Sequence, residues 1–252
     1  MKRYLYNYQT VITFATPVRN HSVMLRCLPV NGGHQTVEEE HVICSPEFRM
    51  RRSKDAFGNR ILYGGMRDPH SSLVYVSVGI VMVEPYSVYA GSSTSPVFLM
   101  PTRLTSIPPS ADIANIVADA RDVMDICHRV HNLIEYTPRT TDVNTTAADV
   151  IATHKGVCQD YAHVMIGLCR MAKLPARYVC GFIQGTGETH AWVEVFNGYG
   201  WNGYDPANDA RIEYGYVKLS HGRDASDCSV SRGLYTGATV QTQQVSVTLQ
   251  EI

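Results

Sequence analysis

A thiol, an imidazole and a carboxylate appear along the second half of the chain in an order that can carry out covalent chemistry. Cys158 sits in Gly156-Val157-Cys158-Gln159-Asp160-Tyr161-Ala162-His163, His190 opens His190-Ala191-Trp192-Val193-Glu194-Val195, and Asp205 closes Trp201-Asn202-Gly203-Tyr204-Asp205 just before Pro206. Spacings of 32 and then 15 residues separate the three. A cysteine can attack a carbonyl carbon, a histidine can take its proton and later hand it to a leaving amine, and an aspartate can hold the imidazole in one tautomer. That set performs acyl transfer on a carboxamide or peptide bond through a thioester.

Each residue also has an ordinary reading. Cys158 is expected in the first turn of a helix running from Val157 to Met171, which must stop before Pro175. There the unpaired N–H groups and the helix dipole favour a thiolate, and the Cys158 N–H can face the oxygen of a tetrahedral intermediate. Gly156 is expected to leave the substrate's approach open. The ordinary alternative is an inert buried thiol. His190, Trp192 and Glu194 share one face of an alternating strand, and Ala191, Val193 and Val195 the other. Asp205 ends the next strand, within reach of His190 if the two are neighbours, although Asp before Pro is also a common turn. Trp192 reads as a wall of the acyl-binding groove or a core aromatic. Tyr136, Asn144 and Gln159 are candidates for the second oxyanion donor or for substrate contact. His163, five residues past Cys158, points away from the cysteine's face and reads as structural.

The elements that must position these groups come in two blocks. Residues 1–100 are β-rich, with Tyr4 to Phe14 and Leu73 to Tyr89 heavy in aromatic and β-branched residues and a turn at Asp55-Ala56-Phe57-Gly58-Asn59. A small antiparallel sandwich is expected there. Residues 101–110, with Pro108-Pro109-Ser110, read as a linker, continuing the breaker-rich stretch from Gly91. Residues 111–252 read as the catalytic core. It opens with one helix from Ala111 to about Tyr136, capped by Ser110 and carrying an apolar stripe from Ile113 to Ile134. A short helix near Thr146, the cysteine helix, and strands 176–183, 189–196 and 200–204 follow. Helices followed by antiparallel strands make an α+β core. The β-rich block is expected to shape or gate the approach to Cys158, or else only to stabilise the core.

The words around Cys158, His190 and Asp205 resemble the transglutaminase-like superfamily, in particular its bacterial two-domain members. Leu174-Pro175-Ala176-Arg177-Tyr178-Val179-Cys180-Gly181, His221-Gly222-Arg223-Asp224 and Gly233-Leu234-Tyr235-Thr236-Gly237 resemble further signatures of that group. Tyr8, Pro17-Val18, His21, Leu25-Arg26, Pro29, Asp55 and Gly58-Asn59 resemble its N-terminal β-domain. The resemblance implies a papain-like transglutaminase fold with Cys158, His190 and Asp205 as the triad, and a protein or peptide substrate with water or an amine as acceptor. An aspartate as third member favours the transglutaminase branch over papain-type peptidases. The chain departs from the pattern at Ala225 and at Cys228-Ser229-Val230, and it has no Trp before Cys158. Arg223 and Asp224 read as an ordering ion pair beneath the site or only as a loop contact, a structural role in either case.

Composition bounds the rest. The chain has 252 residues, a net charge of −1 and 44% hydrophobic residues, so nothing points to nucleic acid or to an anionic membrane surface. No window approaches a membrane span, and the first residues lack an apolar signal-like core, so a cytoplasmic protein is expected. Seven cysteines, an odd number without a C-x-x-C, suggest neither a disulfide framework nor zinc. His128, His131 and Glu135 at helical spacing could ligate zinc, but read better as a solvated helix face, so no metal or cofactor is expected. A non-catalytic binding module on the same fold is the rival class.

Overall fold

The computed structural model describes residues 1–91 and 93–252, apart from the side chains of residues 111, 112 and 114. Ser92, part of the breaker-rich stretch after Gly91, lies outside the described residues. The alternation at the N-terminus builds one long strand, β1 (Lys2–Leu25), in which Tyr4, Tyr6, Tyr8, Thr10, Ile12 and Phe14 are buried between more exposed neighbours. β2 (Gln35–Ser45), β3 (Met50–Lys54), β4 (Arg60–Met66) and β5 (His70–Val83) assemble around it. β1 pairs with β5 from Lys2 to Thr13 and with β4 from His21 to Leu25. Its register slips on the way, where Asn20 takes a φ of +50°.

β6 (Val88–Tyr89) leads into the segment read as a linker, which is firmly held. Leu104 and Thr105 are buried, and Arg170 donates to the Phe98 carbonyl at 3.0 Å and to Thr105 Oγ1 at 2.8 Å. The single helix expected from Ala111 to Tyr136 is two, α1 (Ala111–Ala118) and α2 (Val123–Leu133). Asp122 breaks the run: its carboxylate accepts the Asp125 N–H at 2.9 Å and starts a new helix. β7 (Glu135–Tyr136), α3 (Ala147–Thr153), β8 (Lys155–Gly156) and α4 (Cys158–Met171) follow. Thr146 and Asp149 form the capping box that starts α3.

The core sheet contains β9 (Ala176–Ile183), β11 (His190–Phe196), β12 (Gly200–Asp205), β13 (Ala210–Arg211) and β14 (Tyr216–Gly222), in the order β13-β12-β11-β9-β14, and all neighbours are antiparallel. Ala191, Val193 and Val195 of β11 share a core with Tyr161, Val164, Met165 and Leu168 of α4. Helices packed on an antiparallel sheet, beside an N-terminal β-layer, make this an α+β protein.

The C-terminal residues depart from the expected division at 100–110. β10 (Gly185–Gly187), β15 (Ser231–Thr236) and β16 (Gln241–Glu251) belong to the N-terminal sheet, and β16 pairs with β1 from Tyr4 to Phe14. β9 is buried on both faces, so its outer side chains need a second partner. Phe182 supplies one, with ring centroids 5.7 Å from Tyr6 and 5.4 Å from Tyr8. Val217 and Leu219 join the same core.

Candidate active site

The site is built where the first turn of α4 meets the first residue of β11. The two-residue parallel pair of β7 with β8 sets Tyr136 against Gly156, just ahead of Cys158. Asp160 then secures the helix start. Its Oδ2 accepts the Val157 N–H at 2.8 Å and the Thr141 hydroxyl at 2.7 Å. This arrangement itself requires Gly156: a Cβ on it would lie 2.7 Å from the Asp160 Cβ. Cys158 is half-buried, as the first helical residue, so its N–H has no acceptor within the helix.

His190 faces this helix end from β11. Its Nε2 hydrogen-bonds Asp205 Oδ2 at 2.7 Å, and its side chain is 12% exposed. Burial alone would favour the neutral ring. The Asp205 carboxylate and the nearby Cys158 sulfur outweigh it and push the imidazole up to about 10. Nδ1 is thereby the nitrogen left for the thiol. β11 and β12 are neighbours, with Val193 opposite Tyr204, which is how a separation of 15 residues becomes a contact.

Asp205 is fully buried and has every lone pair engaged. Oδ2 also accepts the Asn208 side-chain amide at 2.7 Å and the Tyr216 hydroxyl at 2.8 Å. Oδ1 accepts the backbone N–H groups of Ala207 and Asn208. Burial would raise this carboxyl, yet His190, Asn208 and Tyr216 together hold it below the usual range. Tyr216 and Asn208 were not found in the sequence. Asn208 had a usable signal, since an Asp two or three residues before N–H groups makes an Asx-type turn. Tyr216 had none, because it arrives from another strand.

Of the three residues singled out for substrate contact, two lie near the thiol. Tyr136 is 53% exposed, and burial together with the nearby Cys158 raises its phenol. Gln159 lines a cleft of about 480 Å³ with Asn144, Tyr178, Cys180 and Thr189. Trp192 does not wall a groove. It is fully buried beside Tyr86, Val179 and Tyr216, and its indole N–H donates to the Tyr86 hydroxyl at 2.8 Å. Alternation turned it to the face of β11 away from α4, where Tyr86 and β14 cover it.

His163 is buried, and its Nε2 accepts the Ala225 N–H at 3.1 Å. Arg223 pairs with Asp227 at 2.8 Å instead of Asp224, whose carboxylate caps the turn at Ser226. His128 bonds Asp209 at 2.7 Å while His131 bonds the Pro206 carbonyl, so the two rings serve different partners. No helix among the described residues is long and apolar enough to cross a membrane.

Comparison with known proteins bears on the family and the fold. The model of the transglutaminase-like superfamily core matches residues 110–206, and that of the bacterial transglutaminase-like N-terminal region matches residues 4–82. An uncharacterised protein of Mycobacterium leprae is 27% identical over 239 residues, covering 84% of this chain and 85% of its own. One from Mycobacterium tuberculosis is 28% identical over 238 residues, covering 77% and 75%. Among solved structures, a candidate cysteine protease from Cytophaga hutchinsonii superposes with a TM-score of 0.77 at 22% identity. That alignment takes in 100% of this chain and 91% of the other, a likeness of fold.

Proposed function

The chain belongs to the transglutaminase-like superfamily, in its bacterial arrangement of an N-terminal β-region and a core, and from this we propose that it is a cysteine-dependent acyl-transfer enzyme. Cys158 is the nucleophile, His190 the base and acid, and Asp205 the group that orients His190. The observation that carries this reading is the His190 imidazole bonded to Asp205 Oδ2 at 2.7 Å and lying near enough to the Cys158 sulfur for that group to raise its pKa. The substrate class is a protein or peptide carrying a carboxamide or peptide bond.

The steps follow from the groups. With the proton held on His190, the Cys158 thiolate adds to the carbonyl carbon, moving an electron pair onto oxygen. The Cys158 N–H at the helix start is a donor for that oxygen, with Gln159 or Tyr136 as the second. As the oxyanion collapses, the C–N bond breaks and the departing ammonia or amine takes the proton from the imidazolium. Water or a primary amine then gives a proton to His190 and attacks the thioester, and the C–S bond breaks to regenerate the thiol.

The test is incubation with a glutamine-containing peptide, with and without an excess of a primary amine. Intact-mass analysis should find a thioester on Cys158, released ammonia, and either an amine adduct or the hydrolysed acid. The amount of each product assigns the acceptor. Neither adduct nor product, with a thiol that also ignores stoichiometric electrophile, would leave a binding module on the same fold.

A further inference from the structure

A second built cavity lies on the face of the core sheet away from α4. It holds about 380 Å³ between residues 30–35, β6, β9 and β14, with Gly32 and Tyr89 at its rim and His34, Arg177, Lys218 and His221 within. The rim is exposed, while His34, Lys218 and Arg177 are only 1%, 3% and 6% exposed. No Asp or Glu lines this pocket among the described residues.

The charges behind the pocket do not balance. Glu194, fully buried, accepts from Lys218 Nζ at 2.8 Å on both oxygens, from Arg177 Nε, and from the Tyr86 hydroxyl at 2.8 Å. Two cations thus meet one carboxylate in a region that excludes water, where uncompensated charge is costly. Lys218 registers the excess: burial and the Arg177 charge push its ammonium down to about 8, despite Glu194. Arg177 is fixed in place, its guanidinium 4.0 Å from the centre of the Trp201 ring. His34 lies over Tyr86, with ring centroids 4.0 Å apart, and neither of its nitrogens has a partner among the described residues. His221 Nδ1 is likewise unpartnered. A buried polar group left without a partner costs about 1–3 kcal/mol, so two such rings beside surplus positive charge call for an acceptor.

We propose that this pocket binds a small oxyanion, held by Lys218 and Arg177 through charge and by His34 through a ring N–H. The site is separate from the thioester chemistry, because none of Cys158, His190 and Asp205 lines this pocket. Carboxylate and phosphate share the recognising chemistry: a negative oxygen that accepts several N–H bonds.

The test is NMR titration of the full chain at neutral pH and constant ionic strength, with sodium phosphate and separately with sodium acetate, against sodium chloride. Saturable shifts are expected at the His34 and His221 rings and at the Gly32 and Gly33 amides, with at least one oxyanion and not with chloride. The oxyanion with the lower half-saturation point names the preferred class. His34→Phe keeps a ring on Tyr86 but removes both nitrogens, and should weaken binding about tenfold, the loss of one hydrogen bond to a charged group. Lys218→Met should weaken it further. If neither oxyanion moves His34 in the wild type, or if the folded His34→Phe protein binds as tightly as wild type, the pocket is a solvated structural cluster and the proposal fails.

Discussion

Asp205 divides two tasks between its two oxygens, and that division explains why both readings of this residue hold. Oδ1 closes the turn at Ala207 and Asn208, and Oδ2 holds His190. Asp205→Asn should therefore spare much of the turn and still lower acyl-transfer activity, whereas His190→Ala, which deletes the proton carrier, should cost on the order of 10² to 10⁴ in rate. Steady-state kinetics on the glutamine peptide measure both, and a His190→Ala protein turning over as wild type removes that residue from the mechanism. The pH dependence has a definite sign. A free imidazole titrates near 6.5, and His190 is pushed up to about 10, so protonation of this ring stabilises the fold fully below about 6.5. That contribution fades as pH rises toward about 10. The Tm gap between wild type and Asp205→Asn should shrink over this window; a gap that stays constant would mean the ring carries no proton there. The other thiols set the contrast for Cys158. Burial pushes Cys27, Cys169 and Cys180 up to about 12 and Cys44 up to about 11. Brief iodoacetamide treatment at neutral pH, read by peptide mass mapping, should mark Cys158 first. Equal marking of Cys44 would contradict its assignment as nucleophile.

At the scale of the element, the start of α4 is a mechanical device. Thr141, Val157 and Asp160 form a bonded clasp, and Gly156 is small because Asp160 occupies the space its side chain would need. Gly156→Ala forces a methyl group to within 2.7 Å of the Asp160 Cβ, so the clasp or the helix start must shift. Overpacking of this kind costs about 1–3 kcal/mol. The Tm should fall, and the rate of Cys158 alkylation should fall with it, because the thiol loses its place beside His190. An unchanged alkylation rate in a destabilised protein would show that the clasp supports stability alone.

Across the whole molecule, the two β-layers are joined by a shared core and by the chain's own ends. β16 returns to pair with β1 over eleven residue pairs, and Phe182 and Leu219 of the core sheet pack among Tyr4, Tyr6 and Tyr8. A fragment covering residues 111–252 would leave β16 without β1, its partner over eleven residue pairs, and bare the outer face of β9. Such a fragment should not fold alone, and the intact protein should unfold in a single cooperative transition. Phe182→Ala should lower stability by about 3–5 kcal/mol, the usual cost of emptying a buried aromatic site. Denaturant curves followed separately by tryptophan fluorescence and by far-UV circular dichroism check this. Two separated transitions, or a folded fragment, would mean that the layers are independent.

The sequence by itself determined what depends on neighbours along the chain. Strand alternation from Tyr4 to Phe14, the capping box at Thr146, the extent of α4 and the strands bearing His190 and Asp205 were all legible, because period, caps and breakers act over a few residues. So was the pairing of His190 with Asp205, because their types carry the chemistry and the words around them carry the resemblance. Tertiary structure decided everything that needed a partner distant in sequence. Trp192 became core once Tyr86 and Tyr216 covered it, Gly156 answered to Asp160, and Asp205 gained Tyr216 from another strand. The last strand crossed to the first, although nothing in residues 241–251 distinguishes an edge on one sheet from an edge on the other. Alternation tells which side chains of a strand point together; only packing tells what they point at.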